Sequence, residues 1–142
     1  MSGSFEQLDH TADLGLRARG DTLEEAFRQA ARGLFDAMVD LERVAPDRRH
    51  TVSCTSQTVE GLLVEWLSDL LAQKDLSGLL FGEFELEIAS REDGFALHGT
   101  ARGEPLAPGR HDPKAEVKGI SYLGLRVEET ADGWIAECVL DV

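Results

Sequence analysis

The residues with the most chemical potential lie near the start of the sequence, in the run Asp9-His10-Thr11-Ala12-Asp13. This run places two carboxylates, an imidazole and a hydroxyl within five residues, just before a predicted strand. Asp and Thr also stabilise turns by hydrogen bonding to their own backbone. The local pattern therefore supports a functional site and a simple turn about equally.

A second group of oxygen atoms lies at the end of the sequence, where Asp141 precedes Val142. A side-chain carboxylate, a backbone carbonyl and a terminal carboxylate come together there, and hard cations such as Ca²⁺ and Mg²⁺ prefer oxygen ligands. An exposed charged tail is the usual interpretation of such an end. The apolar pair Val139-Leu140 argues against it, because it predicts a strand that holds Asp141 in place.

Other polar residues have less support. Glu65 and Asp69 lie one helical turn apart, and this like-charge pair is slightly unfavourable unless a cation relieves it, but a solvated helix face is the favoured interpretation. His111 lies in a loop over residues 103–113 that is rich in Gly and Pro, and Lys118 is the one basic side chain between Val117 and Leu125 of its predicted strand. No nucleophile with an adjacent base and no glycine-rich phosphate loop is found, so the sequence predicts no enzyme active site.

Charge and composition narrow the class of protein. The 142 residues include 27 acidic and 14 basic side chains, which gives a formal net charge of −13. A protein that grips nucleic acid unaided is usually basic, so direct and stable nucleic-acid binding is not expected. An excess of carboxylates suits solubility, a basic protein partner and hard cations with oxygen ligands.

Length and hydropathy predict one soluble domain over residues 1–142. No segment approaches the roughly 20 apolar residues of a membrane span, and the start has neither the basic nor the apolar region of a secretory signal. We therefore expect a cytoplasmic protein without membrane contact. Cys54 and Cys138 belong to no metal-binding motif and are expected to be reduced, small buried side chains.

Two amphipathic helices are well signalled. Thr22 with Glu25 forms a capping box before a helix expected over residues 23–40. Thr58 is the expected N-cap of a second helix that ends at Gly78. The apolar stripes of these helices predict a core that contains Leu23, Phe27, Leu34, Phe35, Leu63, Trp66, Leu67 and Leu70.

Alternating residues predict the strands that these helices cover. One hairpin joins residues 83–88 to 95–103 and a second joins 117–128 to 134–141, each through an Asp-Gly turn. Gly119 and Gly124 mark expected bulges, and the last strand is expected to be central because both of its faces are apolar. Strands 14–19 and 51–55 complete a β-α-β-α-β-β-β-β order.

The predicted fold class is therefore α+β, a single domain in which antiparallel sheet is covered by two amphipathic helices on the outside.

Several short motifs, in this order, resemble the archease family. They are DHTAD near the start, EEAF in the first helix, LLVEWLSDLL in the second, GE followed by RH in the loop, EVKGISY near the last hairpin, and an aspartate followed by an aliphatic residue at the end. The resemblance runs from Asp9 to Val142. It implies an archease-like fold and a protein that activates RtcB-type RNA ligases, by promoting guanylylation and turnover of the ligase in tRNA splicing or RNA repair, without being a ligase itself.

The resemblance also implies a bound divalent ion, usually calcium, with magnesium or manganese as alternatives. Carried over to this sequence, the ligands are the carboxylates of Asp13 and Asp141 and the carbonyl oxygen of Val142. The lysine of the EVKGISY segment corresponds to Lys118, a candidate for activation of the partner. Three further candidates for this role are Asp9, His10 and His111.

This sequence departs from the family pattern at Leu123, where a histidine usually follows the tyrosine, and more mildly at Gly119, where alanine is usual. The leading hypothesis is a metal-binding accessory protein. The alternative is a general chaperone or modulator of nucleic-acid-processing enzymes, which requires an exposed apolar surface. A metal-dependent hydrolase that uses Asp13 and Asp141 ranks third, because no general base is evident.

Overall fold

The computed structural model describes residues 2–9 and 13–142, except for the side chain of Asp9. Within these residues the chain forms seven strands, two α-helices and one short 3₁₀ helix at Leu41–Arg43. The elements are β1 (Gly3–Asp9), β2 (Asp13–Gly20), α1 (Leu23–Asp36), β3 (Arg48–Ser56), α2 (Val59–Ser77), β4 (Leu79–Arg91), β5 (Gly94–Pro105), β6 (Gly119–Thr130) and β7 (Gly133–Asp141).

The strands form two antiparallel sheets, one of four strands in the order β1-β2-β7-β6 and one of three in the order β3-β5-β4. Both helices contact strands of both sheets, so the helices join the sheets at the centre of the domain. The predicted class, α+β with antiparallel sheets and two packed helices, is confirmed. The last strand, β7, is central as predicted, since it lies between β2 and β6.

The first helix covers the sheets as predicted, but it is deeply buried. Every residue of α1 is at least half-buried, and only a narrow stripe that includes Arg28 and Asp36 keeps part of its surface exposed. Its small residues explain this burial, since a side chain at Gly33 would place its Cβ 2.3 Å from Leu16 Cδ1 of β2. The close approach of β2 on one side and of Phe81 against Phe35 on the other encloses the helix.

The predicted helix starts are confirmed. Thr22 Oγ1 accepts a hydrogen bond of 3.1 Å from the Glu25 amide, and Thr58 Oγ1 accepts one of 3.0 Å from the Gly61 amide. Gly78 ends α2 with a φ of 74°, a left-handed conformation that glycine adopts without steric cost.

The predicted end of α1 is about four residues too far along the chain, since the helix ends at Asp36 rather than near Asp40. The carbonyls of Ala37 and Met38 instead accept hydrogen bonds from the amides of Ala115 and Lys114 in the long loop. Asp40 caps the short 3₁₀ helix that follows. Donors that are distant in sequence therefore end this helix.

The strand β1 was not predicted. Its two large apolar residues, Phe5 and Leu8, are three positions apart and do not alternate, so the sequence gives no strand pattern there. Pairing with β2 over the full length of the strand holds it in the sheet, and Phe5 packs on the core. β1 is therefore an edge strand that depends on its neighbour.

The bulge predicted at Gly124 is confirmed, whereas that at Gly119 is wrong. Gly119 pairs in regular register with Asp141, but between Ser121 and Arg126 the pairing of β6 with β7 is interrupted. Four residues of β6 there oppose the single residue Cys138. Gly124 has a φ of 76°, which glycine adopts readily and other residues rarely do.

The predicted core is formed almost as expected. Leu23 is half-buried, and the other seven predicted core residues have no exposed surface. Trp66 is the largest of these fully buried side chains, and its indole Nε1 donates a hydrogen bond of 3.1 Å to the carbonyl of Phe27. This bond joins the two helices at the centre of the core.

Candidate metal centre

The first and last described segments meet in the four-stranded sheet. Asp13 begins β2, Asp141 ends β7, and the antiparallel register places the two residues directly opposite each other. Directly opposed residues project from the same face of a sheet with Cβ atoms about 5 Å apart. The two side chains therefore share one face of the sheet, and the predicted meeting of the chain segments is confirmed for the backbone.

A third strand reaches the same point. Gly119 of β6 is the other register partner of Asp141, and the amide of Lys118 donates a hydrogen bond of 2.7 Å to the carbonyl of Asp141. A Cβ atom at position 119 would lie 3.6 Å from Asp141 Oδ2, so this carboxylate lies beside Gly119. Lys118 is exposed next to the carboxylate pair. The backbone of three strands thus fixes the position of Asp141.

Other charges on this outer face of the sheet are paired with one another. Arg17 binds Glu137 and Glu6, and Arg126 binds Glu128 at 3.1 Å and Glu137 at 3.6 Å. The hydrogen bond and the charge of Glu137 raise the pKa of the Arg17 guanidinium above its ordinary value, with a smaller contribution from Glu6. These contacts neutralise the middle of the face.

Asp13 and Asp141 differ from these residues, because neither forms an ion pair with a basic side chain among the described residues. Like charges that stand directly opposite each other in a sheet are destabilising. A cation between them would remove this repulsion. The pair therefore has both the oxygen donors and the uncompensated charge that suit a hard divalent ion.

The coordination sphere that these side chains offer is incomplete. Calcium takes about six to eight oxygen ligands, and two carboxylates supply at most about four. In residues 2–8 and 13–142, no cluster of three or more His, Cys, Asp or Glu side chains forms that could hold a metal alone. Backbone carbonyls such as that of Val142, water or a partner group would have to complete the sphere.

Two predicted candidates cannot be placed. His10 and the side chain of Asp9 lie outside the described residues, as do Thr11 and Ala12 of the same motif. The backbone of Asp9 pairs with Leu14 at the end of β1, so the motif connects two paired strands beside Asp13. The roles of Asp9 and His10 remain predictions.

His111 lies in the interior rather than on the surface of the loop, with no exposed area. Its Nδ1 accepts a hydrogen bond of 2.9 Å from the amide of Ala107, and its Nε2 lies 2.9 Å from Glu104 Oε2. Because an amide can only donate, Nδ1 is unprotonated and Nε2 carries the proton donated to Glu104. The ring therefore anchors the long loop to the end of β5.

The Glu104 carboxylate accepts three hydrogen bonds where His111 anchors the loop. The amide of Ala45 lies 2.8 Å and Arg110 Nε lies 3.0 Å from the same Oε2 that His111 binds. The amide of Ala45, followed by His111, lowers the pKa of the Glu104 carboxyl below its ordinary value, against the opposing effect of burial. Glu104 therefore stabilises the fold at neutral pH, and this contribution decreases as pH falls through its lowered folded-state pKa.

We predict that His111→Ala lowers the free energy of unfolding by about 2 kcal/mol, since the part-buried amide of Ala107 and the buried Glu104 carboxylate each lose a partner. Urea unfolding measures the change. Arg43→Ala is the matched control, because Arg43 contacts Asp112 of the same loop at 3.5 Å but is exposed, and it should change stability little. Equal stability of His111→Ala and the wild type would contradict the anchoring role.

The acidic pair of α2 is explained without a metal. Asp69 Oδ1 lies at hydrogen-bonding distance, 2.8 Å, from His50 Nε2 of β3, and the ring of His50 stacks on Phe81 at 5.9 Å between centroids. A second polar contact that the sequence did not predict joins Ser53 Oγ and His98 Nδ1, which are 2.9 Å apart. Both of these residues are exposed on an open sheet face, so the pair has no enclosed site around it.

The surroundings of the two cysteines make their thiols poor nucleophiles. Burial raises the pKa of the Cys138 thiol to about 12, with a further contribution from Glu137. Burial, together with the charges of Glu65 and Asp69, raises that of Cys54 to about 11. Both thiols are therefore protonated at neutral pH, and the thiolate is the reactive form.

We predict that iodoacetamide modifies neither cysteine of the folded chain at pH 7 within the time in which it fully modifies the chain unfolded in urea. Mass spectrometry of both samples measures the modification. Rapid modification of Cys54 in the folded chain would show that its surroundings are more open than the structure indicates.

The fold and this end of the sheet define a class, namely small α+β proteins in which two helices join two antiparallel sheets and two aspartates oppose each other at the strand ends. The chain belongs to the Archease protein family, whose model matches residues 5–142. In the part of the chain that the structure describes, no helix is long and apolar enough to cross a membrane.

Individual relatives agree with this assignment. The chain is 42% identical over 139 residues to the protein archease of Thermococcus kodakarensis, covering 97% of this chain and 98% of that one. It is 36% identical to the protein archease of Methanopyrus kandleri, covering 97% and 99%. The solution structure of Methanobacterium thermoautotrophicum protein 1598 superposes with a TM-score of 0.87 at 35% identity, covering 98% of this chain and 99% of that one.

Proposed function

We propose that this chain is a metal-binding accessory protein that activates an RtcB-type RNA ligase, promoting guanylylation and turnover of the ligase in tRNA splicing or RNA repair. Membership of the archease family supports this role. The chain acts on the ligase and is not itself a catalyst. It works in the cytoplasm, without stable contact of its own to nucleic acid or membrane.

The observation that carries the proposal is the direct opposition of Asp13 and Asp141 across two neighbouring strands. Their carboxylates hold a divalent ion, calcium or alternatively magnesium or manganese, with the carbonyl oxygen of Val142 as a further ligand. A bound ion supplies positive charge and open coordination positions at the sheet end. The strands hold the ligands in place, because Asp141 is bonded through its backbone to Lys118.

Four further residues are candidates for a role in activation of the ligase. Lys118 is exposed beside the ion ligands and is the strongest of them. Asp9 and His10 belong to the motif that leads into Asp13. His111 contributes indirectly, since it anchors the loop that leads to Lys118.

The charge of the chain supports a protein partner with a basic surface. The formal charge of −13 opposes binding to a phosphate backbone and favours a partner that is basic because it holds RNA. Electrostatic attraction of this kind increases the rate of association and weakens with salt.

Guanylylation of the purified ligase with radiolabelled GTP tests the proposal, with and without substoichiometric amounts of this chain. We expect faster guanylylation and several turnovers of the ligase per chain when a divalent ion is present. Unchanged guanylylation would overturn the proposed function. Binding that persists in chelator and extends equally to unrelated nucleic-acid enzymes would support a general chaperone instead.

A further inference from the structure

The bulge of β6, defined as residues 122–125, is a built feature. Its start is closed by a hydrogen bond of 3.1 Å from the Leu123 amide to Ser121 Oγ. Gly124 provides the left-handed turn with a φ of 76°. Leu125 then returns to pack on the core. The β6 bulge therefore projects the two intervening side chains outward in a defined geometry.

These two side chains are large, apolar and exposed. Tyr122 keeps 67% and Leu123 80% of its surface accessible, although the chain buries most of its other large apolar residues. Consecutive exposed aromatic and aliphatic residues on an ordered bulge are typical of a contact surface. Such residues act as anchors when a partner supplies a pocket for them.

The β6 bulge is continuous with the candidate metal centre. A Cβ atom at Gly124 would lie 3.6 Å from Val139 Cγ2, so the bulge packs over Val139. Val139 and Asp141 are two residues apart on β7 and therefore share a face of the sheet. The bulge therefore lies beside the face of the sheet from which Asp13 and Asp141 project.

The charge of the chain indicates which kind of molecule binds at the β6 bulge. The formal net charge of −13 disfavours a nucleic-acid phosphate backbone as the occupant of this surface. A second copy of this acidic chain would place like charges against each other. A protein with an apolar pocket rimmed by basic side chains fits both features.

We propose that Tyr122 and Leu123 form the apolar anchor by which this chain docks on the ligase, next to but separate from the ion that Asp13 and Asp141 hold. This inference rests on the proposed function, since it takes the RtcB-type ligase as the partner. The ion centre and the anchor then have different tasks. The anchor sets affinity for the ligase, whereas the carboxylate pair sets its response to metal.

Binding of the purified ligase to wild-type and variant chains in the presence of calcium tests the anchor. Leu123→Asp and Leu123→Lys, of opposite charge, should each weaken binding at least tenfold. Leu76→Asp is the matched control, because Leu76 is 85% exposed but lies at the end of α2, and its affinity should remain within twofold of the wild type. The melting temperature of every variant, and its increase with calcium, should match those of the wild type.

Each contrary result has a separate meaning. Wild-type affinity of both Leu123 variants for the ligase would overturn the anchor but leave the proposed function standing. Loss of affinity in Leu123→Asp alone would have the same consequence, because it would indicate a purely electrostatic contact. Loss of the calcium response in the Leu123 variants would assign the bulge to the ion centre instead. Self-association of the wild type that Leu123→Asp abolishes would identify a second copy as the occupant. Failure of the wild type to bind the ligase at all would overturn the proposed function together with the anchor.

Discussion

Asp13→Ala is expected to abolish both stimulation of the ligase and the increase in melting temperature that calcium or magnesium causes in the wild type. Asp13 faces Asp141 across the strands, so the substitution removes an ion ligand rather than a packing group. Without the ion the two carboxylates repel each other. The stability of the metal-free variant should therefore equal or slightly exceed that of the metal-free wild type.

Thermal unfolding in calcium and in chelator measures this effect, because an ion that binds only the folded state raises the melting temperature. Asp141→Ala should behave like Asp13→Ala. Glu129→Ala is the matched control, since Glu129 is an exposed carboxylate on the neighbouring strand β6 and should leave both responses unchanged. A folded Asp13→Ala that loses the calcium response but still activates the ligase would make the ion structural, and Lys118 would be tested next.

Trp66→Ala is expected to lower the free energy of unfolding by about 3 kcal/mol or more, the cost of a large cavity in a packed core. Trp66 has no exposed surface, meets Phe84 edge to face at 6.3 Å and bonds to the Phe27 carbonyl. Its ring also fits against Gly99, where a Cβ atom would lie 2.9 Å from Cζ3. Loss of these contacts affects both helices and the three-stranded sheet.

Urea unfolding and thermal unfolding, both followed by circular dichroism, measure the effect of Trp66→Ala. The melting temperature should fall by roughly 10 °C, given the usual scaling for a domain of this size. Trp66→Phe keeps most of the volume but not the indole donor, and it should lose less stability than Trp66→Ala. Wild-type stability of Trp66→Ala would mean that the packing of α2 differs from the structure.

The helices could be predicted because their signals are local. Thr22 and Thr58 cap helices whose apolar residues recur at helical spacing, and Gly78 supplies the left-handed end. The end of α1 could not be predicted, since the carbonyls of Ala37 and Met38 accept hydrogen bonds from a loop that is more than 70 residues away in the sequence. A local pattern does not contain that information.

Strands were predictable where one face is buried and where turns are marked by Asp-Gly. The strand β1 was missed because its order depends on pairing with β2 rather than on alternation. The central place of β7 followed from its two apolar faces and its pairing with β6 followed from the Asp-Gly turn, but its second partner did not. That β2 rather than another strand lies beside it is a property of the assembled fold.

The candidate metal centre was predicted in part. The resemblance to the archease family indicated Asp13 and Asp141, in agreement with the oxygen-rich residues at both ends of the sequence, and the register places the two residues opposite each other. The paired charges beside them were not predicted, because Arg17 and Glu137 are 120 residues apart. The sequence indicated an exposed loop position for His111. Its contact with Glu104 forms only when the loop folds back on β5, which no local pattern predicts.

Calcium titration of the metal-free chain by calorimetry tests most directly whether the opposed carboxylates hold an ion. We predict one saturable site per wild-type chain and no measurable binding to Asp13→Ala or Asp141→Ala, with Glu129→Ala indistinguishable from the wild type. Absence of calcium, magnesium and manganese binding to the wild type, or wild-type affinity in both aspartate variants, would contradict the account.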